Sequence, residues 1–268
     1  MGQSRSPLGV EDLERVAARG WRAPEEGALG SWLLRAGGGF TGRANSVLVV
    51  GDPGMPLPDA VDAVGRWYDE RGLQPCAALP GVQSRAADAA FTAAGWARGG
   101  DVLVLTAPVR PAPVPDVPVR LSPDPDDAWL AGYRSSGPAL PPVSREILTN
   151  AEDVVFASVA SDAEPAPPAA VARGALTDGW LGVTAVAVAE EHRRRGLATA
   201  VMAALQGWAA ERGAHSVYLQ VTADNTAART LYRRAGFIEH HRYRYRRRVD
   251  RPASPACPAP GPRRTRRL

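Results

Sequence analysis

The chain has 268 residues, enough for one large domain or two small ones, and its 45% hydrophobic content supplies a core. All 32 basic residues are arginine, which excludes a lysine nucleophile or Schiff base, and part of the +4 net charge sits in "RYRYRRR" (242–248) and "PRRTRRL" (262–268). No apolar run approaches the ~18 residues of a membrane span, and the N-terminus lacks a secretory h-region, so a cytoplasmic protein is expected.

Abundant Ala, Pro, Gly and Arg suggest a GC-rich, bacterial genome. Cys76 and Cys257 are far apart and read as reduced thiols, not as a disulfide. Gly2 and Ser6 fit the loose myristoylation pattern, which a bacterial composition makes a chance match.

In chain order, "GVEDLERVAARGW" predicts a short helix. "GSWLLRA" and "GRANSVLVV" read as two strands joined by the glycine turn "GGGFTG". "PLPDAVDAVGRWYDERG" is a helix with Pro and Asp near its start and Gly72 past its end. "LQPCAALP" is a strand, "SRAADAAFTAAG" a helix, "GDVLVLTAPV" a strand, and 110–117 a linker. The second half opens with the strand "VPVRLS", then helices in "DPDDAWLAGYR" and "SREILTN" and the strand "DVVFASVA". A Pro/Ala loop leads to the strands "AVARGALTD" and "WLGVTAVAV". A helix over about 195–212, the strand "SVYLQV" and a helix over about 226–235 follow. Two terminal strands, "GFIEH" and "RYRYRRR", close the pattern; the second places its tyrosines on one face and a solvated row of arginines on the other.

The two halves echo each other. Trp67 stands five residues before Gly72, and Trp208 five before Gly213. From Gly72 to Gly95 is 23 residues, as it is from Gly213 to Gly236. Three matched landmarks point to a duplicated subdomain; the competing reading is two unrelated α/β units that reuse a glycine C-cap. The halves differ between strand and long helix: "GDPGMPLPDA" carries two acids and no base, whereas "AEEHRRRGLA" carries three arginines and a glycine.

That second turn has three readings: a solvated helix start, a nucleic-acid patch, or a cradle for a phosphorylated ligand. A helix N-terminus presents unsatisfied N–H groups and the positive end of the macrodipole. Gly196 permits close backbone approach or a positive φ. Arg193, Arg194 and Arg195 add charge, and the small residues Ala198, Thr199 and Ala200 leave the first turn open. The helix buries Leu197, Val201, Leu205 and Trp208. It is neither a Walker loop nor a GxGxxG turn.

Arg193-Arg194-Arg195-Gly196-Leu197-Ala198, with Val188 eight residues before the glycine, resembles the acetyl-CoA motif of the GCN5-related N-acetyltransferases (GNAT). "NTAARTLYRRAGF" is similar to their second signature through Asn225, Ala228, Tyr232, Gly236 and Phe237. The likeness is strongest over 180–248, weaker over 117–179 and indirect over 1–112, and extends to bacterial members with an additional N-terminal half; "GFTGRANSV" (39–47) belongs to it without an assigned role. The resemblance implies an α/β fold with a mixed sheet. It further implies a tandem of a degenerate GNAT-like half (1–112) and a complete catalytic GNAT domain (113–248), followed by a disordered Arg/Pro-rich tail (249–268). It places the CoA pyrophosphate on the amides of about Arg194 to Thr199, including Leu197. The pantetheine arm would lie along Val186, Ala187 and Val188, which requires that strand to splay from "VYLQV". Asn225 would help hold the arm, near Ala228, and Tyr232 would protonate the leaving thiolate.

The implied activity is direct acetyl transfer from acetyl-CoA to a primary amine of a small molecule or protein; the alternative is a non-catalytic acyl-CoA-binding regulatory module. Asn225 also reads as a helix N-cap and Tyr232 as a core tyrosine. No base stands out: Glu190 and Glu191 lie by the phosphate turn, leaving Glu152, Asp153 and Asp178 as candidates. The four histidines form no metal pattern, so no metal is expected. Neither a membrane nor a nucleic-acid partner is expected, and the chain is read as a monomer or homodimer.

Overall fold

The computed structural model describes residues 8–110, 117–134, 139–163 and 165–249. The 250–268 part of the tail, Cys257, the Gly2/Ser6 pattern and most of the linker lie outside the described residues.

The strands form one mixed sheet: β1 (Glu25–Leu29), β2 (Trp32–Ala36), β3 (Val47–Leu48), β4 (Cys76–Pro80), β5 (Ala97–Pro108), β6 (Arg120–Ser122), β7 (Asp153–Val159), β8 (Ala170–Thr177), β9 (Trp180–Val188), β10 (Ser216–Thr222) and β11 (Ile238–Arg247). Their spatial order is β1-β2-β3-β4-β11-β5-β10-β9-β8-β7-β6. The helices are α1 (Val10–Arg19), α2 (Leu57–Glu70), α3 (Arg85–Ala93), α4 (Asp127–Arg134), α5 (Ser144–Thr149), α6 (Leu197–Glu211) and α7 (Thr226–Arg234).

Alternation along the strands assigns the two faces. Leu103, Leu105, Val183, Val217, Leu219 and Val221 pack with Leu197, Val201, Leu205 and Trp208 of α6 and Tyr232 of α7. Leu34, Val47, Ala77 and Leu79 pack beneath α2 and α3 on the same face. On the other face Ala78, Val102, Val104, Tyr218 and Tyr243 meet α1. Further along, Trp21, Phe40 and Ala44 join Trp129 of α4 and Ile147 and Leu148 of α5. Each large apolar side chain buried in this way stabilises the fold by about 1.5–3 kcal/mol.

The echoed landmarks are the same backbone device four times. Leu73, Trp96, Ala214 and Phe237 each donate an N–H to the carbonyl five residues earlier, and the preceding glycine donates to the carbonyl three residues before it. This is the Schellman motif, with the glycine left-handed at C′. Its apolar clasp is aromatic in two cases, Phe91 with Trp96 and Tyr232 with Phe237. Arg71 lies over Trp67 at 3.8 Å and Arg212 over Trp208 at 4.5 Å, and each donates to that tryptophan's carbonyl. Thus α2-β4-α3-β5 repeats as α6-β10-α7-β11.

The repeats exchange their last strands. β11 lies antiparallel between β4 and β5, and β5 lies antiparallel between β11 and β10. Each half is therefore completed by a strand of the other.

Three local expectations are corrected. A hairpin, β1-β2, precedes the glycine turn, and "GRAN" is a 3-10 turn (Arg43–Asn45), which leaves only Val47–Leu48 as strand. Asn45 forces this: its Oδ1 accepts from the Gly37 and Gly39 amides and its Nδ2 donates to the Phe40 and Thr41 carbonyls. "GFIEH" and "RYRYRRR" form a single strand, β11, with two register shifts against β5. Its arginine row is solvated only in part: Arg242 is exposed, but Arg246 is buried, and both Arg244 and Arg246 bond to Asp88 of α3.

Candidate active site

The site begins where β9 and β10 part. They pair in parallel only from Trp180↔Ser216 to Val183↔Leu219. Beyond that point β10 stays with β5 as far as Thr222, and β9 stays with β8 as far as Val188. The cause is local: Ala185 has φ +53°, and the register against β8 shifts between Val171 and Arg173, the signature of a β-bulge. The splay expected from the sequence is present. It leaves the β10-facing backbone edge of Val186–Val188 without a strand partner. Gly182 is bare because the Tyr218 side chain lies across it.

After β9 comes a 3-10 turn, Glu190–His192, and then the arginine–glycine turn. Arg194 (φ +65°) and Gly196 (φ +78°) are both left-handed. A Cβ on Gly196 would meet nothing within 4 Å, so the glycine serves the backbone angle rather than a close contact. Among the described residues the amides of Arg194 to Thr199 donate to no protein acceptor, and they gather at the start of α6. The residues present fit an anionic ligand such as a pyrophosphate.

The three arginines separate in role. Arg194 makes no ion pair among the described residues, and Arg193 lies 3.7 Å from Glu190. Arg195 turns back, to Asp162 at 2.9 Å and His192 Nδ1 at 2.8 Å, while His192 Nε2 meets Ser161. It thereby ties the turn to the β7–β8 loop.

Asn225 caps α7, its Oδ1 accepting from the Ala228 amide at 3.1 Å. Tyr232 is buried against Phe237, and burial raises its phenol pKa above the ordinary value. Its hydroxyl has no hydrogen-bond partner among the described residues. Counting back from the C′ glycines, Ser84 and Phe91 of α3 stand where α7 has Asn225 and Tyr232. The first half thus lacks the hydroxyl as well as the arginines. A cleft of about 460 Å³ marks its equivalent of the arginine–glycine turn, lined by Val49, Asp52, Leu57 and Ser84.

The candidate bases do not reach this place. Asp153 opposes Leu176 and lies 3.7 Å from Arg212, past the C-terminus of α6. Asp178, in the β8–β9 hairpin turn, pairs with Arg19. Glu152 adjoins Asp153, so all three sit at the end of β9 opposite the bulge. No group of three or more His, Cys, Asp or Glu suited to a metal occurs among the described residues, and none of their helices is long and apolar enough to cross a membrane.

Comparison with known proteins fits this geometry. Residues 9–246 match the family described as "Probable histone acetyltransferase Rv0428c C-terminal". The chain is 33% identical over 250 residues to the probable histone acetyltransferase Rv0428c of Mycobacterium tuberculosis, covering 88% of this chain and 73% of that one. It is 28% identical over 260 residues to the uncharacterized N-acetyltransferase YobR of Bacillus subtilis, covering 89% and 99%. A GCN5-related N-acetyltransferase from Kribbella flavida shares the fold, with a TM-score of 0.64 at 17% identity over 89% of this chain and 95% of that one. The chain belongs to the GCN5-related N-acetyltransferases. It is an acyltransferase of the GNAT fold.

Several residues around this candidate site escaped sequence reasoning because they come from the first half or from inside an apolar strand. The loop 37–46 crosses the face opposite α6, where Arg43 Nη1 donates to Gln220 Oε1 of β10 at 2.9 Å. Trp21 Nε1 bonds to Thr41 in the same loop. Glu14 of α1 is buried and accepts from His241 Nε2 at 2.8 Å; His241 Nδ1 meets His240 Nδ1, and His240 Nε2 meets the Leu8 carbonyl. Arg173 of β8 is fully buried. The one usable signal was "GFTGRANSV", whose placement over the splay accounts for its being more than a turn.

Proposed function

We propose that the protein transfers an acetyl group directly from acetyl-CoA to a primary amine. The observation that carries this is the conjunction of an unpaired β9 edge with a free row of amides at the start of α6, separated by one short turn. Acetyl-CoA supplies the activated acyl group. The amides of Arg194 to Thr199, including Leu197 and Ala198, hold its pyrophosphate, assisted by the charges of Arg193 and Arg194, with Arg195 bracing the turn. Val186, Ala187 and Val188 pair with the pantetheine arm as an added strand. Asn225 and Ala228, at the start of α7, flank the arm.

The β9 amides at the bulge polarise the thioester carbonyl. Holding both substrates side by side lowers the barrier further. The amine nitrogen bonds to the acyl carbon, the carbon–sulfur bond breaks, and Tyr232 donates its proton to the departing thiolate. Burial keeps that phenol protonated. The proton released from nitrogen leaves through solvent. A histone amine, suggested by the relative's name, fits less well, because the loop side of the splay is lined by arginines that repel a basic peptide.

Calorimetry with acetyl-CoA and CoA release with an amine panel test the proposal. Saturable binding, weakened about tenfold in Gly196→Ala because a Cβ strains the left-handed turn, is the expected result. Binding without CoA release from any amine would favour an acyl-CoA-binding regulatory module instead.

A further inference from the structure

Arg173 and Arg43 are tethered to the two lips of the splay. Thr184 and Gln220 are each the first residue past the last β9–β10 pair, on β9 and β10 respectively. Arg173 opposes Thr184 across the β8–β9 ladder, with Nη1 3.5 Å from its hydroxyl. Arg43 reaches Gln220 at 2.9 Å. The two guanidiniums lie 4.6 Å and 5.0 Å from the ring of one indole, Trp21.

Neither has an acidic counterpart. Arg173 donates from Nε to the Leu148 carbonyl at 2.6 Å and from Nη1 to the Gly20 carbonyl at 2.9 Å, yet Nη2 is buried and has no partner among the described residues. No carboxylate lies within ion-pair distance of Arg173 or Arg43 among the described residues. Glu14, the buried acid nearby, is taken up by His241. Burial draws Arg173 down to about 10, and Arg43 repels it, but it stays cationic at neutral pH. An unmatched buried cation with an orphaned donor is a costly feature, and the half-buried Arg43 beside it is where an anion can balance the charge.

We propose that Arg43, with the buried charge of Arg173 behind it, receives a carboxylate of the acetyl acceptor, which is therefore an amino acid-type amine. This rests on the acetyl-transfer reading, because the splay is where the amine would meet the acyl carbon. Nη2 of Arg173 is sealed within the protein, so the donors on offer are those that Arg43 retains after bonding to Gln220. That suits a two-oxygen carboxylate better than a phosphate. The half-buried Arg43 is the group that the acceptor meets first, with Arg173 fixed beneath it.

The test uses the full chain and matched probes: α-, β- and γ-amino acids, their amides, the corresponding decarboxylated amines, and phosphoethanolamine. Binding is read by ligand-observed NMR, and turnover separately by CoA release. Acids are expected to exceed amides and amines by about tenfold or more, the range of a charge-assisted hydrogen bond. Arg43→Gln is expected to erase that preference, and Arg43→Lys to keep part of it. Equal use of acids and amides, preference for phosphoethanolamine alone, or a preference that survives Arg43→Gln would overturn the proposal. If Arg43→Gln does not fold, the wild-type ranking decides alone. Acids that bind through Arg43 without CoA release would defeat acetyl transfer and leave the anion site standing. CoA release with every amine alike would do the reverse.

Discussion

Tyr232 holds two positions at once. It is the residue whose ring clasps Phe237 to finish α7, and its hydroxyl has no protein partner among the described residues. A purely structural role is filled in the first half by Phe91, which clasps Trp96 without a hydroxyl. Tyr232→Phe therefore keeps the clasp and removes only the hydroxyl, and with it the proton. It is expected to lower kcat about 100-fold, the low end of general-acid effects, while acetyl-CoA affinity changes little. The pH dependence follows from the direction of the shift. Burial raises the phenol pKa, so the donor stays protonated above the usual value of about 10. The kcat profile should hold its plateau to pH 10. An alkaline limb centred near the ordinary phenol value, or full activity in the Phe variant, would remove Tyr232 from the acid role. Arg173 teaches the opposite lesson at this scale. Within "AVARGALTD" it resembles any solvent-facing strand arginine, and only the layer of α4, α5 and Trp21 above it makes it a buried charge.

Elements defined by local chemistry were legible in the sequence. The helices declared themselves through period, caps and C′ glycines, the α6 turn through its arginines, glycine and small residues, and the splay only through the family resemblance. Elements defined by partners were not. β1, "EEGAL", has no apolar alternation because it is an exposed edge strand, and the side-chain bonds of Asn45 override the strand-like pattern of "GRANS". The arginines of β11 read as a solvated stripe because Asp88 lies far away in sequence. That carboxylate anchors α3 to β11 through Arg246 at 2.7 Å and Arg244 at 3.3 Å. Partial burial opposes its charge, but the two guanidiniums prevail and hold its pKa below the ordinary value. A depressed carboxylate contributes stability above its unfolded pKa and loses it as pH falls through the folded one. The contribution should thus be complete at neutral pH and fade below about pH 4. Asp88→Asn is expected to cost about 2 kcal/mol at pH 7 by denaturant melts, and much less at pH 3. A cost equal at both pH values would show that the pair contributes packing and not charge.

At the scale of the whole molecule, duplication and strand exchange constrain each other. A tandem of two units joined by a linker needs few contacts between them. Here β5 supplies the strand beside β10, and β11 the strand beside β4, so each repeat's sheet has a central gap without the other. Nothing in the local sequence of "GDVLVLTAPV" or "RYRYRRR" states which neighbour it will choose. The exchange also sets the site: it holds loop 37–46 of the first half over the splay of the second, bringing Arg43 to Gln220. The second half alone, residues 117–249, would expose the free edge of β10 and lack the loop. Expressed by itself it should be insoluble or lack native-like dispersion in NMR spectra. Co-expressed with residues 1–110 it should reassemble into a soluble heterodimer that binds acetyl-CoA, since only the linker is cut. A stable, acetyl-CoA-binding second half on its own would mean that β11 can fold back beside β10, and that the first half is an accessory rather than part of the sheet that shapes the site.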